Sequence, residues 1–447
     1  GVRAMQPHHG VRLELTLDAN LQRARESSLR AAVERTRALQ GLAIVLQPHT
    51  GEVLAMAHYP SFDPNDRSGA ARANARIRAI TDPFEPGSTF KAFVVAAGLE
   101  AGVVQVNERL YCEGGRYRVG NRTVRDHEGY GWLLLPDVVR YSSNICTAKV
   151  GERLGPERLY SALARFGFDR ITGIDLPGEK AYPLRPWSKW ARIHLVTTSF
   201  GQGVAVTPIQ LAAAYAALAN GGKLVQPHVV RRAVADNGIV LFENRAQVVA
   251  EAVKPEVASV VSTLLEGVVE SGTGTKARVT GVRVAGKTGT AQKVDVGSGR
   301  YSARDRIASF VGYFPVEDPE FVILVVIDTP RTAVYGGVVA APVFHEIGEF
   351  VVDQFGLRTA AVPPAPPPLL AGSSPCLRKA SWAGEEVFWG MASFLGLSLR
   401  EALQQACRAG WEVDVQGWGF VVAQDPAPGT LTAPDKRLKL KLAPPLG

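Results

Sequence analysis

Glu85-Pro86-Gly87-Ser88-Thr89-Phe90-Lys91, followed by the apolar run Ala92 to Leu99, is the stretch on which the reading of this chain turns. Pro86 and Gly87 stop whatever precedes them. Ser88 then reads as the cap or first-turn residue of a helix running to about Glu100, with Gly98 and Gly102 marking its end. The helix is apolar on every side through Phe90, Phe93, Val94, Val95 and Leu99, the pattern of a helix buried in a core. Ser88 and Lys91, three residues apart, share one of its faces, within reach of each other. Burial lowers a lysine pKa from about 10.4 by up to several units, and a neutral amine takes a proton from a serine hydroxyl. A capping Ser beside a snorkelling Lys is the plainer alternative. Ser-x-x-Lys arises about once by chance in a chain this long, so the pair alone does not decide.

At 447 residues the chain holds two or three domains. Its hydrophobic share of 46% and charged share of 21% are those of a folded globular protein. No apolar run is long enough to span a membrane. The chain starts at Gly1 without a leader, so it is expected to be a piece of a longer protein whose targeting segment is gone. The net charge of +8 comes from scattered Lys and Arg without interleaved aromatics, which argues against a nucleic-acid partner. Cys112, Cys146, Cys376 and Cys407 lack metal-ligand spacing, and His8-His9 has no partners nearby. No metal or cofactor is expected.

Working outward, residues 12 to 16 alternate as a strand, and Asp18 opens an amphipathic helix to about Leu39. Leu42–Leu46 and Val53–Ala57 read as a hairpin turned at His49-Thr50-Gly51. Helical patterns dominate from Ser88 to Asn220, and Pro255 to Val269 is a further helix. Strands follow at Val282–Ala285, Arg306–Tyr313 and Phe321–Asp328, then a closing helix from Ala341 to Phe355. Strands at both ends with helices between predict an α+β domain whose central antiparallel sheet is completed by the two termini, with helices on both sides. Residues 358–377 form a Pro-rich, semi-rigid linker. Residues 378–447 read as a small α/β module. Ser398 to Glu401 is a capping box for its helix, and Leu438, Leu440 and Leu442 alternate with lysines in its last strand.

Two more short motifs carry chemistry. Tyr141-Ser142-Ser143-Asn144 sits between two helical segments, where a tight loop points a hydroxyl and an amide into a cleft or else merely caps a helix. Gly286-Lys287-Thr288-Gly289-Thr290 comes straight off a strand. Gly289 between two threonines lets an extended peptide approach that edge, while Lys287 and the hydroxyls hold a carboxylate. Gly272-Thr273-Gly274-Thr275-Lys276 has the wrong spacing for a phosphate loop.

Ser-x-x-Lys, Ser-x-Asn and Lys-Thr-Gly in this order match the serine acyl-transferases that react with penicillin. The chain resembles a class B penicillin-binding protein, a D,D-transpeptidase, over nearly all of residues 12–357. Leu15 to Gln22, Pro60 to Asn65, Phe200-Gly201-Gln202-Gly203 with Thr207 to Gln210, and Ala219 to Gly222 belong to the likeness. The C-terminal module resembles a PASTA domain, with Met391-Ala392-Ser393 where the usual Val-Pro-Asp would stand. Gly129-Tyr130-Gly131 stands where such enzymes often have Gly-His-Gly.

The resemblance implies that Ser88 attacks the carbonyl between two D-alanines of a peptidoglycan stem peptide, with neutral Lys91 as base. The oxyanion would lie between the backbone N–H groups of Ser88 and Thr290. Ser142, helped by Lys287, would relay a proton to the leaving amine. Asn144 would bind the donor amide, and Thr288 and Thr290 the terminal carboxylate. A second stem peptide's amine would complete the cross-link, and β-lactams would acylate Ser88 irreversibly. The resemblance further implies an N-terminal membrane helix and a pedestal domain outside this chain, residues 1–11 being a remnant of the latter. It also implies an outward-facing catalytic domain, a membrane glycan-polymerising partner, and a role in division or sporulation. Three alternatives remain: a β-lactamase-like enzyme, a β-lactam sensor, and a non-catalytic wall-binding protein. Against the first, no Glu-x-x-Leu-Asn segment lies between Asn144 and Lys287, and Asn144 occupies a position where a class D enzyme has an apolar residue. Cys112 and Cys146 are read as buried free thiols, the commoner state, with a redox pair beside the site as the alternative, since similar sporulation enzymes carry cysteines in this region.

Overall fold

The computed structural model describes residues 10–63, 65–66, 75–294 and 300–357, and most of 393–443. The Pro-rich linker and residues 1–9 lie outside the described residues. The chain divides into two compact units, Gly1–Ala361 and Val362–Gly447.

In the larger unit, strands β1 (Gln40–Leu46), β2 (Val53–Tyr59), β3 (Ala285–Val294), β4 (Tyr301–Phe314) and β5 (Phe321–Asp328) form one five-stranded sheet in the order β3-β4-β5-β1-β2. Every pairing is antiparallel, so a hairpin from early in the chain completes a sheet begun late, with Val45 opposite Ile323. β5 lies inside this sheet and is buried at every residue, which is why it reads as an unbroken apolar run. β3 is an edge strand.

One face of the sheet is covered by α1 (Ala19–Thr36) and α7 (Ala341–Phe355), numbering helices in chain order. Asp18 caps α1 by accepting from the Leu21 N–H at 2.7 Å. Leu21, Leu29 and Val33 then pack with Phe344, Ile347 and Val351 over Val45, Ile323 and Val325. The other face carries a helical lobe of α2 (Lys91–Glu100), α3 (Leu135–Arg140), α4 (Asn144–Arg165), α5 (Pro208–Ala219) and α6 (Pro255–Ser271). α5 is buried on all sides, and its Tyr215 hydroxyl donates to the Thr89 carbonyl at 2.7 Å, tying the Ser88 turn to the lobe's centre. Phe93 packs against Phe166, Phe168 and Tyr215 with ring centroids 4.8, 5.0 and 5.2 Å apart. The α+β architecture with helices on both sides of the sheet is the one expected.

Two local expectations need correction, and one region that the sequence left unread proves to be strand. Between α2 and α3 the chain is not helical: Arg109–Tyr111 pairs with Trp132–Leu134, and Arg116–Val119 with Arg122–Arg125. Strands of this length are too short for periodicity to declare. The strands between Lys223 and Glu251, in a region the sequence left unread, are equally short, and one of them, Val230–Val234, also takes Arg12–Leu15 as partner. Finally, Gly286 to Thr290 lies inside β3, not beyond a strand's end, because pairing with β4 continues through Gln292. Among the described residues no helix is long and apolar enough to cross a membrane.

The smaller unit has helix α8 (Leu399–Arg408) and a three-stranded sheet in which Arg437–Ala443 lies between Glu412–Gln416 and Phe420–Asp425. Leu438, Leu440 and Leu442 are buried against Ala402, Ala406 and Val421, as their alternation with lysines requires. Ser398 of the expected capping box lies outside the described residues.

Candidate active site

Gly87 to Phe90 form a tight 3-10 turn, and α2 begins only at Lys91 with no side chain capping it. Ser88 is therefore not spent as a cap. The turn presses on β3. A Cβ on Gly289 would come within 2.3 Å of Ser309 Oγ, 2.9 Å of Thr89 Cγ2 and 3.0 Å of the Pro86 carbonyl, so only glycine permits this approach.

Two buried lysine amines converge on one hydroxyl of the cleft. Lys91 Nζ donates to the Ser142 carbonyl at 2.5 Å and to Ser142 Oγ at 3.1 Å. Lys287 Nζ donates to the same Oγ at 2.9 Å and to the Thr288 carbonyl at 3.3 Å. Both lysines are essentially inaccessible to solvent. Burial pushes Lys91 down from its ordinary value near 10.5 to about 7, against a smaller upward pull from Asp126. Burial, with the neighbouring Lys91, holds Lys287 well below its usual range. Two like charges cannot share this dry site, so at least one amine is neutral near pH 7. Ser142 itself is held at φ 62°, a conformation costly to a residue with a Cβ, and offers Lys91 both its carbonyl and its hydroxyl.

Ser88 and Lys91 were expected only to lie within reach of each other, and their contacts differ. No hydrogen bond joins Ser88 Oγ to Lys91 Nζ; the amine is taken up by Ser142, whose carbonyl is the stronger acceptor. Ser88, Ser142, Asn144, Thr288 and Thr290 nevertheless line one cleft of about 780 Å³. Thr288 Oγ1 bonds Thr273 Oγ1 at 2.7 Å, and Thr290 Oγ1 accepts from the Gly336 N–H at 3.1 Å. Gly289, between them, supplies the close approach described above. The ring of Tyr335 meets that of His127 edge-on, with centroids 5.5 Å apart.

One functional residue was missed. Asp126 braces the first turn of α4 from outside the helix, its Oδ1 accepting from the N–H groups of Asn144 (2.5 Å) and Ile145 (3.0 Å), its Oδ2 from Ser143 Oγ (2.6 Å). Ser143 Oγ in turn accepts from the Cys146 N–H at 3.0 Å. Ser143, then, is the helix cap, which frees Ser142 and Asn144 to face the cleft. Asn144 Nδ2 is turned by donating to the Arg125 carbonyl at 2.9 Å. A lone Asp so far upstream has no local motif to betray it.

Cys112 and Cys146 form a disulfide with Cα atoms 5.1 Å apart, and both are buried. The free-thiol reading gives way here to the paired one. The bond anchors the loop after Arg109–Tyr111 to the first turn of α4, two residues past Asn144.

Residues 41–349 match the family described as the penicillin binding protein transpeptidase domain, and residues 391–444 the PASTA domain. Probable peptidoglycan D,D-transpeptidase PenA of Neisseria meningitidis is 38% identical over 347 residues, covering 77% of this chain and 57% of that protein. Stage V sporulation protein D of Bacillus subtilis is 32% identical over 442 residues, covering 98% of this chain and 66% of its own length. The chain therefore spans a little over half of the first of these relatives and about two thirds of the second. Among solved structures, penicillin binding protein 3 of Mycobacterium tuberculosis in complex with ampicillin is 32% identical with a TM-score of 0.76, covering 84% of each chain. With three motifs gathered in one cleft and a family match over most of its length, the chain belongs to the penicillin-binding protein transpeptidase family.

Proposed function

We propose that this chain carries the catalytic domain of a peptidoglycan D,D-transpeptidase that cross-links stem peptides through an acyl-enzyme on Ser88. The observation that carries the reading is the convergence of Lys91 and Lys287, both buried, on Ser142 Oγ beside the β3 edge. Ser88 Oγ attacks the penultimate D-Ala carbonyl as its proton passes to the neutral amine of Lys91. The oxyanion is received by the backbone N–H groups of Ser88 and Thr290, each such donor being worth about 3 to 4 kcal/mol. As the C–N bond breaks, the proton moves from Lys91 through Ser142 Oγ to the departing D-alanine amine, and Lys287 steadies the hydroxyl. Asn144 holds the donor amide, and Thr288 and Thr290 its terminal carboxylate. An amine of a second stem peptide attacks the ester, forms the new amide and returns the proton to Ser88. A β-lactam follows the first half of this path, but its leaving nitrogen stays tethered.

We further infer that the whole protein is held by a membrane anchor outside this chain with the catalytic unit on the outer face of the cell membrane, works with a glycan-polymerising membrane partner, and serves cell division or sporulation, the last in keeping with a sporulation protein among its relatives. The test is aminolysis. Offered a D-Ala-terminated thioester donor and a D-amino acid acceptor, the protein should form the new peptide bond. Acylation followed only by hydrolysis, or by nothing, would leave a β-lactamase-like enzyme or a β-lactam sensor.

A further inference from the structure

Aromatic rings follow one another outward from the cleft wall, and the acyl-transfer chemistry uses none of them. Tyr141 lines the cleft. Tyr130 stacks on it, with ring centroids 5.8 Å apart and planes 16° apart. Two residues further on is Trp132, which is the partner of Tyr111 across a short two-stranded ribbon, their ring centroids 5.2 Å apart. Neither Trp132 nor Tyr111 lines the cleft, yet they are 65% and 41% exposed, very open for rings of this size. The pair is not needed to hold the ribbon. The Cys112 N–H donates to the Gly131 carbonyl at 2.7 Å, and Cys112 is tied to α4 by its disulfide. Lys149 Nζ, 5.6 Å from the centre of the Tyr111 ring, donates to the Tyr111 carbonyl at 2.7 Å and fixes that residue's backbone. The rings are thus firmly mounted and left in solvent, where tyrosine and tryptophan supply contact area at little entropic cost.

The side of the cleft on which they stand decides what they meet. The Thr273 N–H donates to the Arg140 carbonyl at 3.4 Å, and Thr273 Oγ1 bonds Thr288 Oγ1 at 2.7 Å. Tyr141, next to Arg140, therefore adjoins the end of the cleft at which the proposed mechanism places the donor's terminal carboxylate. That is the end the departing D-alanine vacates. The incoming amine must take the place of the amine that left, so the acceptor enters past Tyr141. Its stem peptide hangs from a polymer of N-acetylated amino sugars. A pyranose ring offers a face of C–H groups that packs on an aromatic ring while its hydroxyls stay in water. The attacking amine belongs to a residue partway along the acceptor stem, so at about 3.4 Å per residue the sugars sit on the order of 10 Å from the reacting carbonyl. They lie beyond the cleft wall, as the Tyr111–Trp132 pair does.

We propose that Trp132 and Tyr111, with Tyr130 and Tyr141 leading to them, form a platform for the amino-sugar strand of the acceptor. The proposal rests on the transpeptidase reading and adds a binding site to it. The test pairs one D-Ala-terminated thioester donor with two acceptors, a stem peptide still carrying its disaccharide and the same stem peptide without sugar. For the unaltered protein the sugar-bearing acceptor should be favoured in kcat/KM by about tenfold, chiefly through KM. Trp132→Ala and Tyr111→Ala should each bring the ratio toward one, and Trp132→Phe should keep most of the preference, with the thermal midpoint showing whether each variant is folded. No preference in the unaltered protein overturns the proposal. So does a preference that survives both alanine variants, or a fall shared equally by the two acceptors, the results expected of a docking face for another protein or of a purely structural ribbon. Should the alanine variants fail to fold, amino-sugar oligosaccharides freed of stem peptides decide the matter. They should inhibit transfer to the sugar-bearing acceptor alone, and no inhibition, or equal inhibition of both, overturns the proposal. Failure of penicillin to modify Ser88 would instead overturn the transpeptidase reading, so the two failures are distinguishable.

Discussion

Lys91 pays for its place in the site with stability, and the sign of that effect can be worked out. Its pKa falls from near 10.5 to about 7 on burial, while the unfolded chain keeps the ordinary value. Between pH 7 and 10.5 the unfolded state therefore binds the proton that the folded state has lost. Stability rises with pH across that window and is lost as pH falls back toward 7. At about 1.4 kcal/mol per pKa unit the penalty at pH 7 is several kcal/mol. Lys91→Met should accordingly raise the thermal midpoint at pH 7, and the difference from the unaltered protein should shrink as pH approaches 10. Scanning calorimetry at pH 7, 8.5 and 10 checks this; a constant or growing difference contradicts it. In the proposed mechanism the same amine sets the rate. Acylation of Ser88 by penicillin should climb as pH rises through about 7 and should be lost in Lys91→Met, because only the neutral amine accepts the proton. Ser88, Lys91, Ser142, Asn144 and Lys287, the residues proposed for the chemistry, stood out in the sequence because that chemistry demands fixed residue types at fixed spacing, and the structure brings Ser88, Ser142 and Asn144 to one cleft with both lysines on the Ser142 hydroxyl. The Ser142 carbonyl, which competes for Lys91, did not, since a backbone acceptor leaves no trace in a motif.

Two elements hold these residues in place, α4 through its cap and β3 through its glycine. Removing an N-cap side chain costs about 1 kcal/mol. Asp126 supports the cap residue, its two oxygens fixing the Ser143 hydroxyl and the Asn144 N–H. Asp126→Ala should lower the penicillin acylation rate by about tenfold, or 1.4 kcal/mol of barrier, while Asp126→Asn, which keeps an acceptor, loses less. Equal rates for the two variants would remove Asp126 from the positioning of this loop. Gly289→Ala should be harsher. Its Cβ would meet Ser309 Oγ at 2.3 Å and Thr89 Cγ2 at 2.9 Å, closer than real Cβ atoms come, and would crowd the Pro86 carbonyl at 3.0 Å, so the Ser88 turn must draw back from β3. Acylation should fall by at least about tenfold with only a modest change in the thermal midpoint; an unchanged rate contradicts the close approach. At this scale the long helices and the central strands were readable from their periodicity. Four short strands between Arg109 and Leu134 were not, because segments of three or four residues, three of them with exposed arginines, carry no period. The start of β3 was misread for a related reason: Gly286 and Gly289 look like turn residues, yet they lie in the strand where β4 and the Ser88 turn crowd it.

The molecule as a whole is two separately cored units on one chain. The larger closes its sheet by pairing β5 with β1, and the smaller buries its leucine stripe under α8. Separate cores predict two calorimetric transitions, of which penicillin should shift only the one belonging to the larger unit. A single transition would mean that the units unfold together. The α+β architecture was legible because strands at both ends of the unit bracket its helices, and the C-terminal module because its leucines alternate with lysines. How the three motifs converge was not, because sequence order says nothing about three segments meeting until the sheet and lobe are assembled. The central claim is that this convergence makes Ser88 the nucleophile, and intact-protein mass spectrometry after penicillin treatment, followed by peptide mapping, tests it most directly. The predicted result is one covalent penicilloyl adduct per chain, on Ser88 and absent from Ser88→Ala; no adduct, or one on another residue, would contradict it.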